Sequence, residues 1–483
     1  MGLAGILVSL GLLIWLAYRG WSVLVLSPAA AIVAAAFSQE PLLAHWTQTF
    51  MGSAAQFLMQ FFPIFLLGAL FGKLMEDSGS VEAIARFMTE KLGPQRASLA
   101  VVLAGALVTY GGVSLFVAFF VLAPMGLAMF KAADIPRRLI PAATMLGTAT
   151  FTMSALPGSP AIQNTIPMPF FGTTPFAAPG LGMIAAVIML GFGLWWLGRA
   201  EAAARKAGEG FGREAEVSGS VVDDELVRER ATVAQSFDPA EIAHGHLTKI
   251  PPPISFAALP LVVVIAVNLL MSFWVLPQID ASFLAEQRWG KTSLTAVGGV
   301  WAVIVALAAA SVVLIAANRQ RLPSLRQSID AGANASVLPA FSVASLVGFG
   351  AVVAALPTFG LVRDWVLSIG GGPLVSLAVA TNVLAALTGS ASGGLTIALD
   401  ALGATYMRIA AEAGIDPAIM HRVAVIGAGA LDSLPHNGAV VTLLAVCGSS
   451  HRESYFDIVM VAIVGALLAL VAVIILGTMV GSF

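Results

Sequence analysis

Two polar stretches interrupt long apolar runs and decide the fold: SALPGSP at 154–160 and DSLPHNG at 432–438. Proline lacks the amide donor that a helix needs, and glycine weakens the helix further. Inside a bilayer, unpaired backbone groups are costly, so helix breaks occur where they line a cavity or bind something. These two stretches are therefore the first candidates for the functional site.

The composition around them is that of a membrane protein. Of 483 residues, 58% are hydrophobic and only 10% are charged, whereas soluble domains carry about 25% charged residues. Apolar stretches of spanning length recur along the chain. They cover approximately 3–17, 21–37, 57–75, 97–130, 139–168, 176–198, 254–275, 293–317, 333–356, 373–402, 419–447 and 455–481.

Composition also excludes several functions. The formal net charge is −2 and no basic stripe is present, so no nucleic-acid partner is predicted. With Cys447 as the single cysteine, neither a disulfide framework nor a cysteine metal site is possible. We predict no metal and no cofactor. An intramembrane serine hydrolase is disfavoured, because no serine is marked as a nucleophile and the paired breaks would stay unexplained. No enzymatic activity is predicted.

The breaks are duplicated. Two further apolar runs are interrupted, by TYGGVS at 109–114 and by TGSASGG at 388–394. Adding 278 to the first set of positions gives the second. The matched pairs are Gly111 with Gly389, Ser114 with Ser392, Leu156 with Leu434, Pro157 with Pro435, and Ala161 with Ala439. A common offset across spans and breaks indicates an internal duplication, as in many secondary transporters.

We predict an all-α polytopic membrane protein with two inverted-topology repeats, each holding a re-entrant hairpin and a broken transmembrane helix. The first repeat covers 1–198, a polar cytoplasmic linker covers 199–253, and the second repeat covers 254–483. Both termini are expected to be periplasmic in a bacterial inner membrane. Without the linker, this topology puts twelve Lys and Arg residues in the cytoplasm and five outside, as the positive-inside rule favours. The five are Arg288, Lys291, Arg363, Arg408 and Arg422.

The breaks supply the predicted substrate site. Half-helix N-termini attract carboxylates, while hydroxyl and amide side chains add hydrogen bonds. The alternative for each small residue is close helix packing. The predicted substrate-binding residues are Gly111, Gly112, Ser114, Ser154, Pro157, Gly158, Ser159, Asn164, Ser390, Ser392, His436 and Asn437.

Asp432 and His436 are the ionisable residues of the second break, and charges inside spans are usually functional. Histidine titrates near neutral pH. We therefore predict that proton coupling resides in Asp432 and His436. The alternative for His436 is a neutral, hydrogen-bonded side chain at a helix break.

Several motifs resemble those of the gluconate permease (gluconate:proton symporter) family. They are YGGVSLF at 110–116, DIPRRLIPA at 134–142, FTMSALPGSPAIQNTIP at 151–167 and FGTTP at 171–175. The resemblance is greatest to the D-β-hydroxybutyrate permease-like branch. It implies proton coupling and an elevator-like movement of the hairpin domain. True gluconate permeases carry a His-Pro-Gly-Pro type sequence at the first broken span, whereas this chain has LPGSP at 156–160. A smaller, less hydroxylated monocarboxylate than gluconate is therefore favoured.

The predicted function is proton-coupled uptake of a short hydroxy-monocarboxylate such as 3-hydroxybutyrate. The alternatives are a sodium-coupled carboxylate symporter or a gluconate or sugar-acid permease of the same superfamily. An ion antiporter would need more carboxylates at its breaks, and a channel would need a ring of like charges. The expected partners are a small organic anion, protons or sodium, membrane lipid, and a second copy in a homodimer joined through scaffold helices such as 21–37 and 293–317.

Overall fold

The structure is a computed structural model that describes residues 2–17, 19, 21–212, 248, 250–435 and 437–483. His436 and most of the predicted linker lie outside the described residues. Within these ranges, all regular secondary structure is helical. The helices of the first half are α1 (Gly2–Ala17), α2 (Val23–Phe37), α3 (Leu42–Asp77), α4 (Ser80–Leu92), α5 (Ala97–Tyr110), α6 (Leu115–Ala132), α7 (Ile140–Thr148), α8 (Phe151–Ser154), α9 (Ile162–Thr165), α10 (Pro167–Phe171) and α11 (Pro179–Lys206).

The second half also contains both long and short helices. Its helices are α12 (Ile254–Gln278), α13 (Leu294–Asn318), α14 (Leu325–Ala335), α15 (Val337–Ala355), α16 (Phe359–Leu367), α17 (Pro373–Thr388), α18 (Ala391–Ala413), α19 (Pro417–Ala430), α20 (Gly438–Val446) and α21 (His451–Val480). Helix α11 continues eight residues into the predicted linker, as far as Lys206.

The polytopic prediction is confirmed. Among the described residues, seven helices are long and apolar enough to cross a membrane, or eight if a pair bent by 106° counts as one span. That pair is α4 followed by the helical segment Pro94–Tyr110. The seven are α3, α6, α11, α12, α13 with its extension to Arg321, α14 together with α15, and α21. The apolar helices α1, α2 and α17 are shorter.

All four predicted interruptions are breaks between helices. Helix α5 ends at Tyr110 and α17 ends at Thr388, which are 278 residues apart. The longer breaks lie between α8 and α9, called the first break, and between α19 and α20, called the second break. We call the interruption between α5 and α6 the first tip and the interruption between α17 and α18 the second tip. The second tip is shorter than predicted, because Gly393 and Gly394 belong to α18. Gly394 is needed there for close packing, since a Cβ would lie 2.3 Å from the backbone nitrogen of Ala385 on α17. The inverted orientation of the two halves stays a prediction.

Candidate functional site

A cavity of about 190 Å³ lies where the two tips meet α3 and the junction of α14 and α15. The described residues that line it carry no formal charge. Its polar lining residues are Thr109, Ser114, Gln163, Ser336, Ser390 and Ser392. The rest of the lining is apolar and includes Phe65, Phe116 and Met153. Of the predicted binding residues, Gly112, Ser114, Ser390 and Ser392 line this cavity.

The first tip turns the chain so that the N-terminus of α6 faces the cavity. Gly112 has φ 98°, and a Cβ there would lie 2.9 Å from Cγ of Pro160. Only glycine adopts that conformation readily in so little space. Ser114 is the N-cap of α6, and its Oγ accepts a hydrogen bond from the Phe116 amide at 3.4 Å. The remaining amides of the first turn form a positive end near the cavity.

The second tip does the same for α18. Gly389 ends α17 in the left-handed conformation, with φ 63°. Ser390 is the N-cap of α18, and its Oγ accepts a hydrogen bond from the Gly393 amide at 3.2 Å. The hydroxyls of Ser390 and Ser392 lie 3.2 Å apart. The two tips thus bring two helix N-termini and three serine hydroxyls to one cavity, which is an arrangement that attracts an anion.

Gln163 also lines this cavity and was missed in the sequence. Its amide oxygen is buried and has no hydrogen-bond partner in the described part of the chain. An unpaired buried acceptor costs about 1–3 kcal/mol, so this oxygen suits a ligand that donates a hydrogen bond. The neighbouring Asn164, which was predicted, lines no part of the cavity.

Asn437 and Asp432 lie behind the second tip and hold it in place. Asp432 Oδ1 accepts hydrogen bonds from the Ala391 amide and from Asn437 Nδ2, both at 2.8 Å. Asn437 Nδ2 also donates to the Gly389 carbonyl at 2.8 Å. The second break is therefore hydrogen-bonded to both sides of the second tip, at Gly389 and at Ala391.

Asn164 and Ser159 organise the first break in a similar way. Asn164 is fully buried, and its Nδ2 donates to the carbonyls of Ser159 and Pro175 at 2.9 and 3.0 Å. Ser159 Oγ accepts a hydrogen bond from the Ala161 amide at 3.4 Å. Asn437 Oδ1 caps α20 through the Ala439 amide at 2.7 Å. Ser159 and Ala161 are 278 residues before these two, so the caps of the two breaks match.

The remaining predicted residues shape the backbone. Tyr110 donates its hydroxyl hydrogen to the Pro157 carbonyl at 2.7 Å, which ties the first tip to the first break. Ser154 Oγ donates to the Thr150 carbonyl within its own helical turn. Gly158, with φ 78°, leaves room for the Phe176 ring, and Gly111 leaves room for Leu261 on α12. The four predicted residues among these do not line the cavity: Gly111, Ser154, Pro157 and Gly158.

Arg422 was wrongly counted among the basic residues outside the membrane. It lies on α19 and is fully buried. Its guanidinium donates to the Ala177 carbonyl at 2.7 and 3.3 Å and to the Ser154 carbonyl at 3.2 Å. It also donates to Asn164 Oδ1 at 3.3 Å. The adjacent His421 lies 3.2 Å from the same oxygen through Nε2. A buried cation thus supports the first break from behind.

Among the described residues, seven or eight apolar spans surround an uncharged cavity that three helix breaks line, with the fourth break behind one of them. This is the architecture of a multi-span membrane transporter. The chain belongs to the GntP family of permeases, whose family model matches residues 3–195. This confirms the family predicted from the motifs.

Relatives support the assignment along the whole chain. The chain is 38% identical over 481 residues, 98% of both chains, to the uncharacterized transporter YxjC of Bacillus subtilis (strain 168). It is 35% identical over 105 residues, 21% of this chain and 23% of the relative, to the high-affinity gluconate transporter of Escherichia coli (strain K12). The fold is similar to that of Neisseria gonorrhoeae MtrF, described as illuminating a class of antimetabolite efflux pumps. That likeness has a TM-score of 0.53 and 14% identity, and covers 90% of this chain and 85% of the other.

Proposed function

We propose that this secondary transporter takes up a short hydroxy-monocarboxylate, such as 3-hydroxybutyrate, together with protons. The observation that carries the proposal is the small uncharged cavity that the N-termini of α6 and α18 border. A carboxylate there would accept hydrogen bonds from Ser114 and Ser392 and would be stabilised by both helix dipoles. Arg422 adds positive potential from behind the first break.

The size and polarity of the cavity favour a short substrate. At about 190 Å³ it is smaller than the roughly 300–1,000 Å³ of sites for drug-sized ligands. Its apolar lining by Phe65, Phe116 and Met153 suits a methyl or methylene group. A polyhydroxylated acid such as gluconate, which the Escherichia coli relative carries by its name, would leave several hydroxyls unpaired against those side chains. Transport of gluconate or another sugar acid is therefore the alternative, and a short monocarboxylate is favoured.

Ser392→Ala is expected to weaken 3-hydroxybutyrate binding about tenfold, because a hydrogen bond to a charged group contributes about 1.5–3 kcal/mol. Thermal unfolding can be followed through labelling of the buried Cys447 with a thiol-reactive dye, over a ligand titration. The control is Ser368→Ala, which removes an exposed hydroxyl outside the cavity. Stabilisation by gluconate but by no short monocarboxylate would exclude the proposed substrate class.

Proton coupling is proposed for Asp432 and His436, and the role of His436 rests on the sequence. His436→Ala in proteoliposomes is expected to abolish the stimulation of uptake by an inward proton gradient while substrate exchange continues. His45→Ala, in the first turn of α3, is the matched control. If a sodium gradient at symmetric pH drives wild-type uptake equally well, the transporter is the sodium-coupled carboxylate symporter instead.

The arrangement in the membrane is also part of the proposal. The repeats 1–198 and 254–483 are inverted, with the linker in the cytoplasm and both termini in the periplasm of a bacterial inner membrane. Transport follows elevator-type alternating access, in which the tips and breaks move together. The last part of the proposal is a homodimer joined through α2 and α13, which expose apolar side chains such as Val25 and Val312. The carried solute is a small organic anion.

A further inference from the structure

One side chain of the cavity wall has an unmet hydrogen-bonding group. Gln163, on the short helix α9, lines the cavity, and its Oε1 is buried with no hydrogen-bond partner among the described residues. Burial of an amide oxygen without a donor is unfavourable. The torsion that orients a glutamine amide is soft. This oxygen can therefore turn, at little cost, toward a donor that enters the cavity.

The first break holds Gln163 in this position. The next residue, Asn164, is fully buried, and its Nδ2 donates to the carbonyls of Ser159 and Pro175. Its Oδ1 accepts a hydrogen bond from Arg422 on α19. Successive side chains of a helix point about 100° apart. The contacts that direct Asn164 toward α19 therefore leave Gln163 on a different side of the helix, where it lines the cavity.

Two hydroxyls of the cavity wall are already engaged with the backbone. Thr109 Oγ1 donates to the Gly105 carbonyl at 2.9 Å, and Ser336 Oγ donates to the Ala333 carbonyl at 2.7 Å. Each of these oxygens thus has a hydrogen bond within its own helical segment, whereas Gln163 Oε1 has none in the described part of the chain. The amide oxygen is therefore the acceptor that gains most from a new donor.

The two tips present the opposite polarity. Ser114 Oγ accepts a hydrogen bond from the Phe116 amide, so its hydroxyl hydrogen can point into the cavity. The hydroxyls of Ser390 and Ser392 lie 3.2 Å apart, so one donates to the other and the second keeps its hydrogen for a ligand. Donors at the tips suit a carboxylate, and the acceptor of Gln163 suits a hydroxyl group. A hydroxy acid supplies both groups.

We propose that Gln163 selects a hydroxyl group on the substrate, so that the site prefers a short hydroxy acid to the keto acid or the unsubstituted acid of the same length. This rests on the proposed function and deepens it. The substrate hydroxyl donates to Gln163 Oε1 while the carboxylate lies at the tips. A keto oxygen in the same place would face Oε1 as a second acceptor, and a methylene group would leave Oε1 without a donor.

The test measures binding of 3-hydroxybutyrate, butyrate and acetoacetate to wild type, to Gln163→Met and to the control Gln56→Met, which changes an exposed amide on α3. Thermal unfolding, followed by labelling of Cys447 over a ligand titration, gives each apparent Kd. Wild type and Gln56→Met should bind 3-hydroxybutyrate about tenfold more tightly than either analogue. In Gln163→Met, 3-hydroxybutyrate should bind about tenfold more weakly while butyrate binds at least as tightly as before. A general structural defect would instead weaken all three ligands alike.

Three outcomes overturn the proposal. The first is a wild-type preference for 3-hydroxybutyrate over butyrate in Gln163→Met, since another group would then accept the hydroxyl. The second is binding of acetoacetate to wild type as tight as that of 3-hydroxybutyrate, because an amide that donates its NH2 group favours a keto oxygen. The third is equal binding of butyrate and 3-hydroxybutyrate to wild type, which decides the matter even if Gln163→Met does not fold. Failure of the wild type to bind any short monocarboxylate is distinguishable, because it counts against the proposed function itself.

Discussion

Arg422→Met is expected to destabilise the protein by about 3 kcal/mol or more. The Arg422 side chain is fully buried and its guanidinium bonds to the Ala177 and Ser154 carbonyls and to Asn164. Methionine fills a similar length but donates no hydrogen bond, so these oxygens stay buried without that partner. Because the same oxygens belong to the first break and to the entry into α11, we also expect loss of substrate binding.

The measurement is thermal unfolding in detergent, followed by labelling of Cys447, whose side chain is 1% exposed in the folded protein. Arg408→Met is the matched control, since the side chain of Arg408 is 65% exposed and pairs only with the exposed Glu412 among the described contacts. Its unfolding temperature should stay close to wild type, because exposed ion pairs contribute little. An Arg422→Met protein as stable as Arg408→Met would show that the buried guanidinium does not support the first break.

The sequence predicted the helix breaks well because proline and glycine act locally. The break at 154–160 is caused by Pro157, Gly158 and Pro160 wherever the chain lies in the bundle. Helix α4 was missed for the opposite reason. It buries Val81 and Ile84 but exposes Glu82, so its apolar residues form a stripe and not a continuous run. A search for apolar runs finds the spans and passes over such a helix.

The site was predicted in outline, but its individual contacts depend on packing. Gln163 and Asn164 are adjacent amides at the start of one short helix, yet Gln163 lines the cavity while Asn164 bonds to Arg422 on α19. Two partners of Asn164, His421 and Arg422, are 257 and 258 positions away in the chain. Arg422 was misplaced because counting charges treats an arginine near a span end as a loop residue. Only the tertiary structure shows that α19 carries it inward.

Gly394→Ala is expected to destabilise the second tip, although alanine normally stabilises a helix interior by about 1 kcal/mol relative to glycine. Here a Cβ would lie 2.3 Å from the nitrogen and 2.4 Å from the Cα of Ala385, and 2.5 Å from the carbonyl carbon of Leu384. These are backbone atoms of α17, so no side chain can turn away to make room. Overpacking of this kind costs about 1–3 kcal/mol, and separating α17 from α18 moves Ser390 and Ser392 away from the first tip.

Transport of labelled 3-hydroxybutyrate into proteoliposomes should therefore fall by about tenfold or more, since displacement of site groups by about 1 Å is enough for such losses. The matched control is Gly360→Ala on α16, where no atom lies within 4 Å of the added Cβ. That substitution should leave transport unchanged and raise the unfolding temperature slightly. The two variants thus change the same residue type in helices, with opposite expected signs. If Gly394→Ala matches Gly360→Ala in both measurements, close contact between α17 and α18 is not needed to position Ser390 and Ser392 at the cavity.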